Sequence, residues 1–430
     1  MSQPRPILLK GGRLLCPASG IDETGDLLLD QGRIAALGGE LDAPADAEII
    51  DCAGKWVAPG LIDMHVHLRE PGHEYKEDIA SGTAAAAAGG FTAVCSMPNT
   101  DPVNDSAAVT EMILERARAV GSCRVYPVGA ITPGLKGQGL SQMAELKDAG
   151  CVAVSDDGHP VSDSRLLRRA MEYASGFGLP VICHSEELSL SAGGAMHEGP
   201  VATALGLPGI PAEAEVAAVE RDLTLAGLTG ARVHIAHISC AGSVAALARA
   251  REAGWAVSGE TAPHYLALCD QDVGEYDTHR KMNPPLRSQA DRQAVRQGLA
   301  AGIIQAVATD HAPHSVLEKE LEFGFAAFGV TGMETALGVM LELVEEHLLT
   351  PLEMIERLSA APARLLGLPG GSLTAGGPAD VVVMDPKAAW TVDPAKMRSK
   401  SANTAFAGRK LPGRAMLTVC GGKVTFRLED

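Results

Sequence analysis

Hydrophobic positions divide the chain into two kinds of region. Both ends contain short apolar runs separated by glycine and other turn residues, such as PILLKGGRLLCP, AEIIDCAGKWVAPG, ADVVVMDP, AWTVDP and AMLTVCGGKVTF. Runs of this kind predict short β-strands. Because short strands need several partners to form a stable sheet, we predict one small β-sandwich-like domain built from both termini, residues 1–54 together with 366–430.

Between these ends, apolar runs alternate with helical patterns. The candidate strands are GLIDMHVHL, FTAVCSMPN, RVYPVGAIT, VAVSDDG, PVICHSE, RVHIAHIS, AVSGETAPHYL and IQAVATDHAP. Stretches of helical character follow them, such as DIASGTAAAAAGG, SAAVTEMILERARAVGS, SRLLRRAMEYASGFG and AGSVAALARAREAG. This alternation predicts an α/β fold in which residues 55–365 form a TIM-like (β/α)₈ barrel, with a doubly wound sheet as the alternative.

Composition and charge narrow the function classes. With 430 residues, 46% of them hydrophobic and 21% charged, the chain is long enough for a barrel plus an accessory domain. A net charge of −17 argues against nucleic acid or an anionic membrane as partner, although it does not exclude a small anionic substrate. MSQPRPILLKGG lacks the apolar core of a signal peptide, no apolar run approaches bilayer-spanning length, and the nine cysteines are scattered singly. We therefore expect a cytoplasmic protein with free thiols.

Residues with catalytic chemistry follow the predicted strands directly. They are His65, His67 and Arg69 after strand 1, Asn99 after strand 2, Asp156 and Asp157 after strand 4, His184 after strand 5, His234 and His237 after strand 6, and Asp310, His311 and His314 after strand 8. In a barrel of this type the active site forms at the carboxyl ends of the strands. Histidines and aspartates that converge there suit a divalent transition metal, and the ligand types favour zinc.

Strand periodicity predicts which of these side chains point the same way. In an extended segment His65 and His67 share one face, and Arg69 continues it. His234 and His237 are three positions apart and face opposite ways, so only one can enter the site. We favour His237 because it is nearer the end of the strand.

Adjacent aspartates at the end of strand 4 face opposite ways as well. One of Asp156 and Asp157 should enter the site while the other caps the turn, and periodicity leaves open which does so. His264 and His311 fit buried supporting positions better than ligand positions.

Seven motifs together resemble one known family. DMHVHLREPG, SMPNT, SDDG, HIAHIS, NPPLR, TDHAPH and NTAFAGRKLPGRAMLTVCGGKV are similar to the type I dihydroorotases of the amidohydrolase superfamily, and they span nearly the whole chain. Enzymes of that family interconvert L-dihydroorotate and N-carbamoyl-L-aspartate in the third step of pyrimidine biosynthesis. The resemblance implies a zinc-dependent hydrolase with this small-molecule substrate.

The resemblance also implies roles for individual residues. It places His65, His67 and Asp310 on one zinc ion, His184 and His237 on a second, and Asp157 between the two ions. Other branches of the superfamily use a carboxylated lysine at that bridging position. The implied substrate-binding residues are His67, Arg69, Asn99, Asn283 and His314, with the backbone near Phe328 and Gly329 closing over the ring.

The family's chemistry predicts attack of a metal-bound hydroxide on the cyclic amide, with Asp310 as the catalytic proton shuttle. A hydantoinase or allantoinase is an alternative, but such enzymes would carry a lysine at the end of strand 4, where this chain has SDDG. A non-catalytic partner of aspartate transcarbamoylase is another, but it would be expected to lose metal ligands. The resemblance allows a homodimer and also a complex with aspartate transcarbamoylase.

Overall fold

A parallel β-barrel forms the centre of the molecule, in a computed structural model that describes residues 5–429. Its strands, numbered 1 to 8 in chain order, are Leu61–Val66, Phe91–Ser96, Arg124–Ala130, Ala153–Ser155, Val181–Cys183, Val233–Ile235, Val257–Thr261 and Ala306–Val307. Each strand pairs with the next one along the chain. A parallel bridge between Val66 and His311 joins the two ends of this sheet. The predicted (β/α)₈ barrel and all eight candidate strands are confirmed.

Helices connect the strands. The α-helices are Ile79–Ala88, Ala107–Val120, Met143–Ala149, Ser164–Gly176, Leu188–Ser191, Pro200–Leu205, Glu213–Thr229, Ala241–Glu252, Pro263–Ala267, Gln289–Ala300, Val316–Lys319, Met333–Glu345, Pro351–Ile355 and Ala361–Leu366. A π-helical turn spans Glu356–Ala360, and short 3₁₀ helices span Pro133–Leu135, Asp270–Val273, Thr278–Arg280 and Pro394–Lys396. N-capping aspartates fix the starts of two of these helices. The side chains of Asp78 and Asp163 accept hydrogen bonds from backbone N–H groups of the first helical turn. The four helices predicted from the patterns are confirmed.

Strands from both termini share a second sheet of eight strands. They are Ile7–Cys16, Ile21–Asp30, Arg33–Gly38, Glu48–Asp51, Trp56–Pro59, Val381–Asp385, Arg414–Cys420 and Lys423–Arg427. The AWTVDP run lies outside it, because Trp390–Thr391 pairs with Lys410–Leu411 in a separate two-stranded sheet. A further short pair joins Met196–His197 to Gly209–Ile210. The domain boundaries at 54/55 and 365/366 stay predictions.

Apolar burial follows this division. Every residue of strands 1 and 2 is buried, as expected for a parallel sheet covered on both faces. Small residues such as Ala93, Ala153 and Ala306 belong to one apolar cluster, and the terminal sheet has its own cluster. A bidentate pair between Arg124 and Asp380, with Nε–Oδ2 at 2.9 Å, connects the barrel to the terminal sheet.

Two further features are the state of the cysteines and the character of the helices. The nine cysteines are free, and eight of them are buried. Within residues 5–429, no helix combines the length and the apolar character that crossing a bilayer requires.

Candidate metal and substrate site

Most of the residues that carry chemistry follow the ends of the barrel strands, whereas His65 lies within strand 1. Strand 1 stops at Val66, so Arg69 lies in a loop and the prediction that it continues a strand face is wrong. Arg69, His237 and Asp310 have positive φ angles of 61°, 35° and 47°. Non-glycine residues seldom adopt this conformation, and such strain concentrates at functional sites. The left-handed turn at Arg69 aims its side chain in a direction that strand periodicity does not predict.

Asp157 lies at the centre of the histidines. Its Oδ1 is 3.2 Å from His65 Nε2, 3.5 Å from His184 Nδ1 and 3.9 Å from His237 Nε2. Its Oδ2 is 3.5 Å from His67 Nε2. Two groups of donors therefore share this carboxylate: His65 and His67 on one side, His184 and His237 on the other. All five side chains are buried.

These donors fit metal ions. Within each group the donor atoms lie within 4.8 Å of one another. Among the described residues, His65 Nε2 and Asp157 Oδ1 are buried atoms with no hydrogen-bond partner, which buried polar atoms seldom lack. Burial alone would raise the pKa of Asp157, but the neighbouring His65, His184 and His67 hold it well below its ordinary value. An anionic carboxylate between two imidazole pairs is a donor set that suits zinc.

Asp310 lies beside the first pair of histidines. Its Oδ1 is 3.1 Å from His67 Nε2 and 3.7 Å from His65 Nε2. The other ring nitrogen of His67 is 2.8 Å from Asn99 Oδ1, so this amide oxygen orients the ring. Asp310 thus lies next to the His65–His67 group, as the family resemblance implies, and it lines the neighbouring cavity.

Two choices that periodicity left open are visible in the structure. Asp156 turns away from the histidines and accepts hydrogen bonds from the backbone of Ile131 and from the backbone and hydroxyl of Thr132. It therefore caps the neighbouring loop while Asp157 enters the site. His237 joins the cluster as expected, whereas the ring of His234 contacts Ser258 Oγ at 2.7 Å inside the barrel.

Two supporting carboxylates were missed by sequence reasoning. Glu260 Oε1 is 2.8 Å from His65 Nδ1, and Glu260 Oε2 is 3.2 Å from His234 Nε2. Burial favours the neutral form, but the hydrogen bonds with these two histidines lower the pKa of Glu260 to about 2. Glu186 contacts His184 Nε2 at 3.1 Å and accepts a hydrogen bond from Asn283 at 3.0 Å. A carboxylate behind a histidine holds its other nitrogen toward a metal. Only the fold brings Glu260 to the distant His65, whereas Glu186 follows His184 by two positions.

His311 and His264, the two histidines predicted to support the site, are both buried. His311 Nε2 lies 3.4 Å from the buried Glu77, and its Nδ1 accepts the Gly332 N–H at 3.2 Å. Its backbone oxygen accepts the His67 N–H at 2.9 Å, which ties strand 1 to the end of strand 8. His264 is buried against the ring of Tyr265. Neither belongs to the two donor groups.

A cavity of about 270 Å³ opens onto the histidine cluster. Its walls contain all seven residues that the resemblance implies for substrate binding: His67, Arg69, Asn99, Asn283, His314, Phe328 and Gly329. The described lining includes no lysine, and Lys147 is exposed on the helix before strand 4. A larger cavity of about 380 Å³ lies against Glu334 and Trp390, away from the histidines.

Arg69 reaches this cavity from the loop after strand 1. Its Nε donates to the Pro313 carbonyl at 3.2 Å, and a terminal nitrogen lies 3.4 Å from His314 Nε2. The nearby Glu70 pairs with Arg116 instead, at 2.9 Å. Arg69 is therefore a cation that faces the cavity without a carboxylate partner among the described residues.

Solved structures with the same fold include hydantoinases and dihydropyrimidinases. The L-hydantoinase (dihydropyrimidinase) from Arthrobacter aurescens superposes with a TM-score of 0.89 at 25% identity, over 99% of this chain and 97% of that chain. The dihydropyrimidinase from Brevibacillus agri gives a TM-score of 0.86 at 25% identity, over 98% of this chain and 95% of that chain. Both are similar over nearly their whole length.

Sequence relatives are more similar still. Residues 54–243 match the family described as Dihydro-orotase-like. The dihydroorotase of Syntrophotalea carbinolica is 55% identical over 99% of this chain and 100% of its own. That of Anaeromyxobacter sp. is 54% identical over 97% of both chains. With this identity over nearly the full length, and with the histidine–aspartate cluster at the barrel's carboxyl end, the chain belongs to the dihydroorotase family.

Proposed function

We propose that this protein is a zinc-dependent dihydroorotase, which reversibly hydrolyses L-dihydroorotate to N-carbamoyl-L-aspartate. The observation that carries the proposal is the single cavity in which an unpaired cation, two amide side chains and the Asp157-centred histidines face one another. A cyclic amide with a free carboxylate matches these groups: the cation suits the carboxylate and the metal cluster suits the amide. The similarity to curated dihydroorotases supports the same substrate.

The metal site we propose holds two zinc ions in each chain. His65, His67 and Asp310 would bind one ion, His184 and His237 the other, and Asp157 would bridge them. The nitrogen and carboxylate donors favour zinc, which polarises carbonyl groups and lowers the pKa of water to about 7 when bound. The unpartnered His65 Nε2 and Asp157 Oδ1 support this assignment.

Asp310 is the residue we assign to proton transfer. In the hydrolytic direction it takes a proton from the attacking water and passes it to the ring nitrogen as the carbon–nitrogen bond breaks. In the ring-closing direction it returns the proton to the departing water. Its position beside His67 and at the cavity wall places one carboxylate near both events.

Substrate binding is assigned to the rest of the wall. Arg69, Asn99, Asn283 and His314 would hold the substrate carboxylate and ring polar groups, together with His67. The backbone near Phe328 and Gly329 would cover the ring. A Cβ at Gly329 would lie 2.8 Å from Ala312 Cβ and 3.0 Å from His314 Nε2, so glycine permits this close approach.

Arg69→Lys should lower kcat/KM for dihydroorotate by roughly ten- to a hundredfold. A guanidinium can donate two parallel hydrogen bonds to a carboxylate, whereas an ammonium presents a point charge. Charged hydrogen bonds contribute about 1.5–3 kcal/mol, and about 1.4 kcal/mol corresponds to a tenfold change. Zinc content should not change. Steady-state kinetics check this, with the exposed Arg116→Lys as the matched control, and a parent-like kcat/KM in Arg69→Lys would exclude the carboxylate clamp.

Glu260→Gln should weaken zinc binding by about ten- to a hundredfold, because it removes the charge that orients the His65 ring. Competition with a chelator measures the affinity directly and does not depend on turnover. Asp380→Asn is the control, since Asp380 is also buried and paired but lies at the junction with the terminal sheet. Equal zinc affinity in Glu260→Gln and the parent protein would show that this contact is not important for metal binding.

A hydantoinase-type activity is the alternative that needs a direct test. The solved neighbours include hydantoinases, but Asp157 occupies the centre of the cluster and the described cavity wall has no lysine. An ultraviolet assay of the purified protein with dihydroorotate, hydantoin and dihydrouracil separates the activities. We expect hydrolysis of dihydroorotate alone, and faster turnover of an uncharged ring would refute the proposal. Inactivity with all three would favour a non-catalytic partner of aspartate transcarbamoylase.

The cellular role follows from this activity. We place the protein in the de novo synthesis of UMP. We also place it in the cytoplasm, a location that the free cysteines support. Homodimer formation and association with aspartate transcarbamoylase are open partner proposals that size measurements of the purified protein, alone and mixed with the transcarbamoylase, would decide.

A further inference from the structure

Two lysines are buried beside the substrate cavity. The relative exposures of Lys281 and Lys319 are 2% and 1%, although lysine is almost never fully buried unless it is paired. Within residues 5–429 no carboxylate forms an ion pair with either ammonium, and both donate to backbone carbonyls instead. Burial lowers the pKa of Lys281 to about 8, and burial together with the charge of Lys281 lowers that of Lys319 to about 7.

Both ammonium groups hold one irregular segment, residues 323–329. Lys281 Nζ donates to the carbonyls of Phe323 at 2.7 Å and Gly324 at 3.1 Å, and it lies 4.4 Å from the centre of the Phe328 ring. Lys319 Nζ donates to the carbonyls of Ala327, Gly329 and Lys281 at 2.8, 3.1 and 3.3 Å. This segment contains no helix or strand, so the lysines replace the hydrogen bonds of regular structure.

The held segment and the substrate cavity are continuous. Phe328 and Gly329 end the segment and line the cavity, and Asn283, two residues after Lys281, lines it as well. The Gly329 N–H donates to the Lys281 carbonyl at 2.9 Å, which joins the two stretches directly. A substitution of either lysine would therefore alter two parts of the cavity wall, the one at Asn283 and the one at Phe328 and Gly329.

Stability alone does not account for these side chains. A buried charge without a countercharge is unfavourable, and even buried ion pairs can often be replaced by apolar residues of similar volume at no cost. In Lys319→Met two of the three carbonyls would keep another hydrogen-bond donor. The Gly329 N–H donates to the Lys281 carbonyl, and Asn403 Nδ2 donates to the Gly329 carbonyl. Methionine would thus leave only the Ala327 carbonyl without this donor or a replacement. The main loss would be the contacts that fix the position of the 323–329 segment.

We propose that Lys281 and Lys319 are positioning residues that hold the 323–329 segment against the bound substrate and thereby set substrate affinity. The proposal rests on the proposed function, in which Phe328 and Gly329 cover the substrate ring. The two lysines touch neither the zinc donors nor Asp310, so the chemical step should be little affected.

Kinetics of Lys319→Met and Lys281→Met test this role. We expect KM for dihydroorotate to rise about tenfold, the loss of roughly one charged hydrogen bond, while kcat stays within about threefold of the parent value. Zinc content should match the parent. Lys55→Met, which removes an ammonium near Asp385 in the terminal sheet, is the control and should leave KM unchanged.

Limited proteolysis gives a second measurement that does not depend on activity. Phe325 is 78% exposed within the held segment, so a chymotrypsin-type protease can report its mobility. Faster cleavage after Phe325 in both lysine variants, slowed by substrate, would support the proposal. Parent-like KM and cleavage would overturn it, and so would unfolding of both variants or a joint loss of kcat and zinc, which indicate a general structural role. If the parent itself does not hydrolyse dihydroorotate, the proposed function fails while the cleavage result still reports on the lysines.

Discussion

Asp310→Asn should retain some zinc and yet hydrolyse dihydroorotate about 10² to 10⁴ times more slowly, the range typical of a lost general acid–base group. An amide cannot accept the proton that the carboxylate takes. Asparagine keeps the shape of the side chain, and it tolerates the left-handed backbone that Asp310 adopts, with φ of 47°. Lost turnover would therefore reflect chemistry more than folding.

Turnover and zinc content measured across pH decide this prediction. Asp380→Asn provides the same substitution at a buried carboxylate remote from the cluster and should behave like the parent. A rate for Asp310→Asn within a factor of two of the parent at every pH would remove Asp310 from proton transfer. Complete loss of zinc together with the rate would leave its role as a shuttle unsupported.

Asp157→Ala should lose at least one zinc ion and most activity, whereas Asp156→Ala should lose less of both. Asp157 lies between two histidine pairs, and without its charge two dications would be poorly screened from each other. Asp156 instead caps the loop at Ile131 and Thr132, so its removal should mainly reduce stability.

Metal analysis and kinetics of the two alanine variants measure this difference, with thermal unfolding as the check on stability. Parent-like zinc content and rate in Asp157→Ala would contradict the bridging role. The opposite ranking of the two variants would transfer that role to Asp156.

Much of the fold could be predicted from sequence because parallel strands buried on both faces leave a clear signal. Each of the eight apolar runs became a barrel strand, and the observed strands end before the polar residues that close each run. The AWTVDP run was harder to place. Two residues of it form a strand, and their partner Lys410–Leu411 carries no distinct pattern of its own.

The site was predictable where a choice depended on position along one strand. His237 enters the cluster and His234 does not, as their spacing and distance from the strand end suggest. The resemblance supplied Asp157 over Asp156, which alternation alone left undecided. Arg69 reached the cavity for a reason the sequence did not reveal, namely a left-handed turn after the strand.

Contacts between distant strands could not be read from the sequence. Glu260 supports His65 across 195 positions, and Glu186 connects His184 to Asn283 on another loop. Glu260 belongs to no spacing pattern with His65. Glu186 lies two residues after His184, but its contact with Asn283 spans 97 positions. Lys319 and Lys281 also look like surface residues in the sequence, and only the fold reveals that they are buried.

Zinc titration of chelator-treated protein, with dihydroorotate hydrolysis followed at each step, tests the central claim most directly. The claim is that the Asp157-centred cluster binds the metal on which dihydroorotase activity depends. We expect no hydrolysis without metal and a rate that rises with bound zinc up to two ions per chain. Full activity in metal-free protein, or no hydrolysis of dihydroorotate by zinc-loaded protein, would contradict the account.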